Sequence, residues 1–298
     1  MSNTIHYNQC PVCGSGDISK RLSVIDSTVS GEVFAVFHCA NCSLRFTQDI
    51  PDADSIGKYY KSEDYISHTN TSKGLVNRLY QLVRKRTLKQ KRKLIEEITG
   101  KKNGILLDVG SGIGAFATEM KNAGWQVTGL EPDEGARKAA EDIHGIKLSS
   151  IEEIYNLPAG NFDIITLWHV LEHVSDLGGY IKQFNSLLKP DGKLFIAVPN
   201  YTSLDADVYK QYWAAYDVPR HLYHFTPKSM KLLMKKNELE IIDIKRMWFD
   251  SFYVSLLSSK NKHRNIKWIS ACWIGLRSNL SALINKERCS SLIYVIAK

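Results

Sequence analysis

The sequence predicts an α/β protein, a largely parallel sheet with helices on both faces, preceded by a small cysteine-rich module. Three observations carry this. From residue 104 onward, short apolar runs alternate with helical patterns, which is the signature of β-α units. One such run, Ile105-Leu106-Leu107-Asp108-Val109, passes through Gly110-Ser111-Gly112-Ile113-Gly114 into a helical stretch. Upstream, Cys10-Pro11-Val12-Cys13 and Cys39-Ala40-Asn41-Cys42 form two C-x-x-C pairs.

The glycine-bounded run reads as a buried parallel strand, and the loop after it must let a ligand approach its backbone. Peptide N–H groups at the following helix start favour a nucleotide-type ligand. Gly110, Gly112 and Ala115 also satisfy the loose dinucleotide pattern G-x-G-x-x-G/A, a weak signal by itself. Asp108 argues against a pyrophosphate, because its carboxylate lies directly under the loop. A ligand carrying an ammonium group and a sulfonium would be attracted there instead.

Length and composition set the bounds. A chain of 298 residues with 44% hydrophobic content supplies core for one large or two modest domains. No run approaches the roughly 18 apolar residues of a membrane span. The first residues, Met1 to His6, lack a signal-peptide layout. The expected location is the cytoplasm, where six cysteines are thiols or metal ligands rather than disulfides. The net charge of +8 is concentrated: Lys73 to Lys102 holds eleven Lys/Arg and two Glu, a local +9 that leaves the remainder near −1.

Residues 1–50 form the first module. Each C-x-x-C pair places two thiolates on one knuckle, and Cys10, Cys13, Cys39 and Cys42 together suit a tetrahedral, structural Zn²⁺ site. Arg21–Asp26 and Glu32–His38 read as a hairpin turning near Ser30-Gly31. The module resembles a zinc ribbon; a redox dithiol is the alternative. Residues 51–103 read as a connector, with a polar stretch to Asn70 that includes Tyr59, Tyr60 and Tyr65. A helix follows, apolar at Leu75, Leu79, Leu82, Val83, Leu88, Leu94, Ile95 and Ile98, and ending at Gly100. Its Arg84, Lys85, Arg86, Lys89, Lys91, Arg92 and Lys93 make either a solvated face or a site for an anionic partner. That partner would be an anionic acceptor, a membrane surface reached peripherally, or RNA.

Within 104–298, Ala115–Ala123 reads as a helix and Trp125–Leu130 as the second strand. Glu131, 23 positions past Asp108, suits a ribose diol. Ile146–Leu148 reads as a third strand, with an adenine near Ser149-Ser150. Phe162–Trp168 reads as a fourth. A helix over Ser175–Leu188, a turn at Lys189-Pro190-Asp191-Gly192 and a strand over Leu194–Val198 follow. Ligands bind beyond the C-terminal ends of such strands.

The stretches Phe162–Val174 and Leu187–Leu194, with the Asp-x-Gly-x-Gly-x-Gly loop, resemble class I S-adenosylmethionine (SAM) dependent methyltransferases of the ubiquinone-pathway O-methyltransferase type, over about residues 85–250. The resemblance implies a Rossmann-like, seven-stranded sheet, parallel with an antiparallel last strand. It implies SAM binding by Asp108, Gly110, Gly112, Gly114 and Glu131, to which Ser111, Pro132, Ser150 and Trp168 are added as flanking positions. His169 stands where relatives often carry Glu, so its role is a separate expectation. His169–His173 also spells H-x-x-E-H, but a peptidase site of that pattern needs a long helix, and here it begins at a strand tip. Glu172 and His173 are read as local packing, the alternative being a divalent ion as in some relatives.

Residues 199–226 form an insertion long enough to be functional. Trp213, Tyr216, Arg220 and His224 in it suit an acceptor pocket, and Thr226-Pro227 starts a helix. Glu240–Met247 and Ser290–Ile296 are the expected last strands. Between them Ser251–Ser258 and Trp268–Ile284 form a helical lid or interface over 250–288. Cys272 and Cys289 are read as packing residues. A hydroxyl acceptor calls for a base, assigned to His169 with His221 as alternate. The expected acceptor is a small molecule or glycan intermediate, O- or C-methylated. RNA is the runner-up, although the fourth strand lacks the Asn/Asp-Pro-Pro-Tyr of amino-directed nucleic-acid enzymes.

Overall fold

In a computed structural model of the chain, the described residues are 4–52, 55–60 and 75–298, with 75–85 described for the backbone alone. Tyr65 therefore lies outside the described residues. So do the side chains of Leu75, Leu79, Leu82, Val83, Arg84 and Lys85.

The N-terminal strands are β1 (Thr4–Ile5), β2 (Ile18–Ile25), β3 (Val33–Cys39), β4 (Arg45–Thr47) and β5 (Ile50–Pro51). Alternating Phe34, Val36 and partly buried Leu22 put one face of the β2–β3 hairpin inward. Asp26 organises its turn, its carboxylate accepting from the amides of Thr28, Val29 and Ser30. After α1 (Leu75–Thr99) come β6 (Ile105–Val109), α2 (Ala115–Asn122), β7 (Gln126–Leu130) and α3 (Glu134–His144). Next are β8 (Phe162–Trp168), α4 (Leu177–Leu187) and β9 (Leu188–Pro199). The chain closes with α5 (Leu204–Tyr209), β10 (Tyr223–His224), α6 (Pro227–Lys236), β11 (Glu240–Arg246), α7 (Asp250–His263), α8 (Trp268–Ile284) and β12 (Ser291–Ala297).

The central sheet has strand order β11-β12-β9-β8-β6-β7. β6 pairs in parallel with both β7 and β8. The run Phe162–Leu167 is buried throughout, as a strand covered on both faces requires. The described strands of this sheet number six, not the expected seven. Ile146–Leu148 forms no ladder, and only an isolated bridge joins Ser149 to Leu130. Its apolar residues serve packing instead: Ile146 and Leu148 are buried with Ala117 and Ala140. The turn expected at Lys189–Gly192 belongs to β9, where Gly192 approaches the carbonyl of Phe162 too closely for a side chain. The helix before it is shorter than expected, Leu177–Leu187.

Two compact units emerge. One comprises residues 1–66, 169–181 and 196–295. Within it a four-stranded sheet has the order β10-β4-β3-β2, so the 199–226 segment contributes a strand to the cysteine-rich sheet. Its core joins Val24, Phe34, Val36 and Tyr59 to Tyr201, Tyr209, Trp213, Tyr216 and Val218. The other unit comprises residues 67–168, 182–195 and 296–298. In it Asp163 anchors the start of β8, accepting from the amide of Ile105 and pairing with Lys101 and Lys189. Burial opposes ionisation, but these donors outweigh it and hold Asp163 at about 2. Among the described residues no helix is long and apolar enough to cross a membrane.

Candidate active site

A first group of expected site residues lies at the C-terminal end of β6. Asp108 is the strand's buried acid, its Oδ1 accepting from Thr166 Oγ1 on β8 at 2.7 Å. Burial raises its pKa to about 6, against the hydrogen bonds from Thr166 and Ser111. The chain then turns through Gly112 (φ 54°) and Gly114 (φ 74°), left-handed positions that glycine adopts without steric cost. Gly114 caps α2 with no side-chain acceptor, which leaves the first-turn amides as donors. Ser111 Oγ donates to the carbonyl of Asp108, and the Ser111 amide bonds Leu130, tying the loop to β7.

Glu131 follows β7 directly. Its Oε2 accepts from the Gly112 amide at 2.8 Å and its Oε1 from the Asp133 amide at 3.1 Å. Burial raises its pKa, while the two amides work in the opposite sense. Arg137 donates to the carbonyls of Glu131 and Pro132 and fixes the bend between them. Ser150 Oγ donates to Glu152, and the amide of Glu131 bonds the carbonyl of Ser149. Trp168 ends β8 with its ring edge-on to Phe116 at 5.3 Å and under the Lys91 ammonium at 4.2 Å. Its indole N–H has no hydrogen-bond partner among the described residues. The cofactor positions expected from sequence thus fall on the glycine loop and at the ends of β6, β7 and β8, except Ser150, which follows the isolated bridge at Ser149.

The second group starts at the residue after β8. His169 is left-handed (φ 60°), with Nε2 3.0 Å from Asp250 Oδ2 and Nδ1 3.4 Å from Glu172 Oε1. Burial would lower its pKa; the Asp250 and Glu172 carboxylates overcome this and raise it to about 9. The two carboxylates thus favour the protonated ring, which works against the base expected at His169. Asp250, 81 residues away on α7, gave no sequence signal. Glu172 is fully buried, and neither carboxylate oxygen has a hydrogen-bond partner among the described residues. His173 Nδ1 faces the Arg220 carbonyl at 3.0 Å, and His221 Nδ1 faces the Ala215 carbonyl at 2.9 Å. In a neutral ring held this way Nε2 is the lone-pair nitrogen. The rings meet edge-on at 4.6 Å, and the ligand atoms of Glu172, His173 and His221 lie within 4.8 Å of one another. Burial, together with the nearby His221, lowers the His173 pKa to about 4 and keeps it neutral.

The residues expected to contact an acceptor are all buried and partnered within the chain. Trp213 Nε1 donates to Asp205, and Tyr216 Oη accepts from Arg45. His224 lies against Thr47. Arg220 donates to Asp26, to both oxygens of Asp217 and to the Tyr59 carbonyl. These four join the 199–226 segment to the N-terminal sheet. The four cysteine sulfurs also converge within 4.8 Å of one another, Cys10–Cys42 at 3.5 Å and Cys13–Cys39 at 3.4 Å. A tetrahedral ZnS₄ centre with Zn–S near 2.3 Å needs sulfurs about 3.8 Å apart, so the donor set fits zinc. On α1, Arg92 pairs with Glu96 and Glu119 and is not an open cation. Cys289 is buried, but Cys272 is exposed on α8 and does not pack inward.

Comparison with known proteins agrees with this layout. A family model described as a methyltransferase domain matches residues 80–244. The chain is 30% identical over 159 residues to a ubiquinone biosynthesis O-methyltransferase of Xanthomonas oryzae, covering 49% of this chain and 66% of that protein. It is 39% identical over 124 residues to one of Actinobacillus pleuropneumoniae, covering 36% and 53%. The matched region thus spans two thirds or less of these curated relatives. A SAM-dependent methyltransferase structure from Archaeoglobus fulgidus superposes with a TM-score of 0.50 at 18% identity, covering 72% of this chain and 94% of that one. The glycine loop, the acid at the end of β7 and the family match converge: the chain belongs to the methyltransferase-domain family and has the fold of SAM-dependent methyltransferases.

Proposed function

We propose that the chain transfers a methyl group from SAM to a hydroxyl of a small-molecule or glycan-intermediate acceptor. The observation that carries this reading is the pairing of a buried carboxylate, Asp108, beneath the glycine loop with a second carboxylate, Glu131, clasped to that loop. The first suits the cationic amino-acid end of SAM and the second its ribose diol. SAM arrives activated, so alignment of acceptor oxygen, methyl carbon and sulfur supplies much of the rate.

Removal of the acceptor's proton falls, in this reading, to the Glu172–His173–His221 cluster rather than to His169. A buried carboxylate that pairs with His169 at 3.4 Å but has no hydrogen bond among the described residues, and two imidazoles with Nδ1 held by carbonyls, form a two-histidine, one-carboxylate donor set that fits a divalent cation. Such an ion supplies Lewis acidity that lowers the pKa of a hydroxyl. His169 stands between Glu172, at 3.4 Å, and Asp250, at 3.0 Å, and orients the Glu172 carboxylate. O-methylation accords with the names of the curated relatives, whose full-length activities are their own. RNA as acceptor is less favoured because α1 commits Arg92 to Glu96 and Glu119. The four cysteines take the structural Zn²⁺ role, and Trp213, Tyr216, Arg220 and His224 shape the segment behind the acceptor rather than touching it.

Calorimetry with SAM and its demethylated product tests the cofactor assignment; micromolar binding is expected, and NAD binding with no response to SAM would overturn it. Cobalt(II) titration of the zinc-loaded protein tests the second cluster. A visible d–d band, lost in His221→Ala with SAM affinity unchanged, is the expected result.

A further inference from the structure

The helix α8 is built the wrong way round for a helix that faces only water. Its inward residues are small, Ala271, Gly275, Ser278 and Ala282. A side chain at Gly275 would lie 3.0 Å from the Cα of Phe252, so α7 and α8 pack with their backbones close. The polar groups on that side are satisfied: Ser278 donates to Asp205 at 2.6 Å, and Asn279 donates to the Trp248 carbonyl. The large apolar side chains point outward instead. Ile269 (90% exposed), Trp273 (58%), Leu276, Leu280, Leu283 (61%) and Ile284 (91%) recur at helical spacing along one stripe, with Trp268 at its N-terminal end. A contiguous exposed apolar face of this kind marks an interaction surface.

Charge identifies the occupant. Residues 251–286 contain six Lys/Arg and no acidic residue. Lys260, Lys262, Arg264 and Lys267 are exposed around the turn between α7 and α8, and Arg277 is exposed along the helix itself. Two copies meeting through this face would bring cations to cations, with no carboxylate in the segment to receive them. An anionic bilayer instead receives both parts: the apolar stripe enters the acyl boundary, the tryptophans suit the interface, and the cations meet lipid phosphates. At 17 residues, and with Arg277 within it, α8 is suited to lie in the interface plane, not to cross it.

We propose that the outward face of α8, flanked by these cations, docks the protein on an anionic phospholipid bilayer. The full-length chain is to be sedimented with phosphatidylcholine vesicles and with vesicles also containing phosphatidylglycerol. Association with the anionic vesicles alone, weakened by salt, is expected. Combined Lys262→Glu, Arg264→Glu and Lys267→Glu should lower partitioning by roughly a hundredfold. Combined Ile269→Ser and Trp273→Ser should abolish it at any salt concentration, and SAM affinity as a check of folding should be unchanged in both. No association with anionic vesicles, or association indifferent to both variants, would overturn the proposal. So would a concentration-dependent dimer, dispersed by Ile269→Ser and Trp273→Ser, in a protein that ignores vesicles.

Discussion

The Glu131 carboxylate accepts a hydrogen bond from the Gly112 amide at 2.8 Å, so the acid at the end of β7 holds the loop at the end of β6. Glu131→Ala should weaken SAM binding by about tenfold to a hundredfold, the range for a hydrogen bond to a charged group. The glycines separate by a different measurement. A methyl at Gly112 meets open space and suffers only its left-handed backbone, about 1 kcal/mol. At Gly114 it would lie 2.7 Å from Ile146 Cγ2 and 3.1 Å from Ala140 Cβ, so strain and overpacking add to roughly 3 kcal/mol. Denaturant unfolding of Gly112→Ala and Gly114→Ala checks this; equal stabilities would refute the packing argument.

On the proposed reading, Asp108 should make stability and cofactor affinity respond to pH in opposite directions. Its carboxyl keeps its proton to about 6 when folded, against an ordinary 3.8. For this group the folded state is favoured most below the ordinary value, and the advantage is lost as pH rises through 6. A shift of roughly two units corresponds to about 3 kcal/mol in the ligand-free protein. Asp108→Asn should therefore be more stable than the native protein at pH 8 and little different at pH 4. SAM needs the ionised form, so affinity should rise with pH to a plateau above 6 and be flat in the variant. A native pH–affinity curve without a limb near 6 would contradict this.

Arg220 is 1% exposed and holds two carboxylates, Asp26 and Asp217. Burial disfavours its charge, but Asp217 and Asp26 outweigh this and raise its pKa. Arg220→Met leaves both acids without their cation and should cost about 3–5 kcal/mol. Adding Asp26→Asn should restore part of that, as thermal melts would show. A variant of native stability with a raised acceptor KM would instead return Arg220 to acceptor binding.

The cysteine cluster should carry one Zn²⁺ per chain by elemental analysis. Cys39→Ser should lower the melting temperature by on the order of 10 °C, because the metal's binding energy enters folding directly. A metal-free protein melting like the native one would favour the dithiol alternative.

The sequence by itself determined the parts whose physics is local. Strand, glycine loop and helix form one continuous stretch, so the placement of Asp108, Gly112 and Gly114 at the end of β6 was legible from spacing, and that of Glu131 at the end of β7 from its distance along a β-α-β unit. The C-x-x-C pairs were legible for the same reason, since each knuckle needs only four residues. The third strand misled because an apolar triplet suits packing as well as pairing, and periodicity cannot separate them in so short a run.

Tertiary structure alone decided the rest. Trp213, Tyr216, Arg220 and His224 look like pocket walls in sequence. Their burial follows from β10 pairing with β4, which joins Tyr223 to Phe46 and His224 to Arg45 across a separation that no local pattern encodes. His169 reads as a base in sequence, and only the fold brings Asp250 on α7 to within 3.0 Å of it, which favours the protonated ring. The same reason applies to Glu172, His173 and His221: a charge state or a ligand set is a property of distances between side chains, and chain order does not contain those distances.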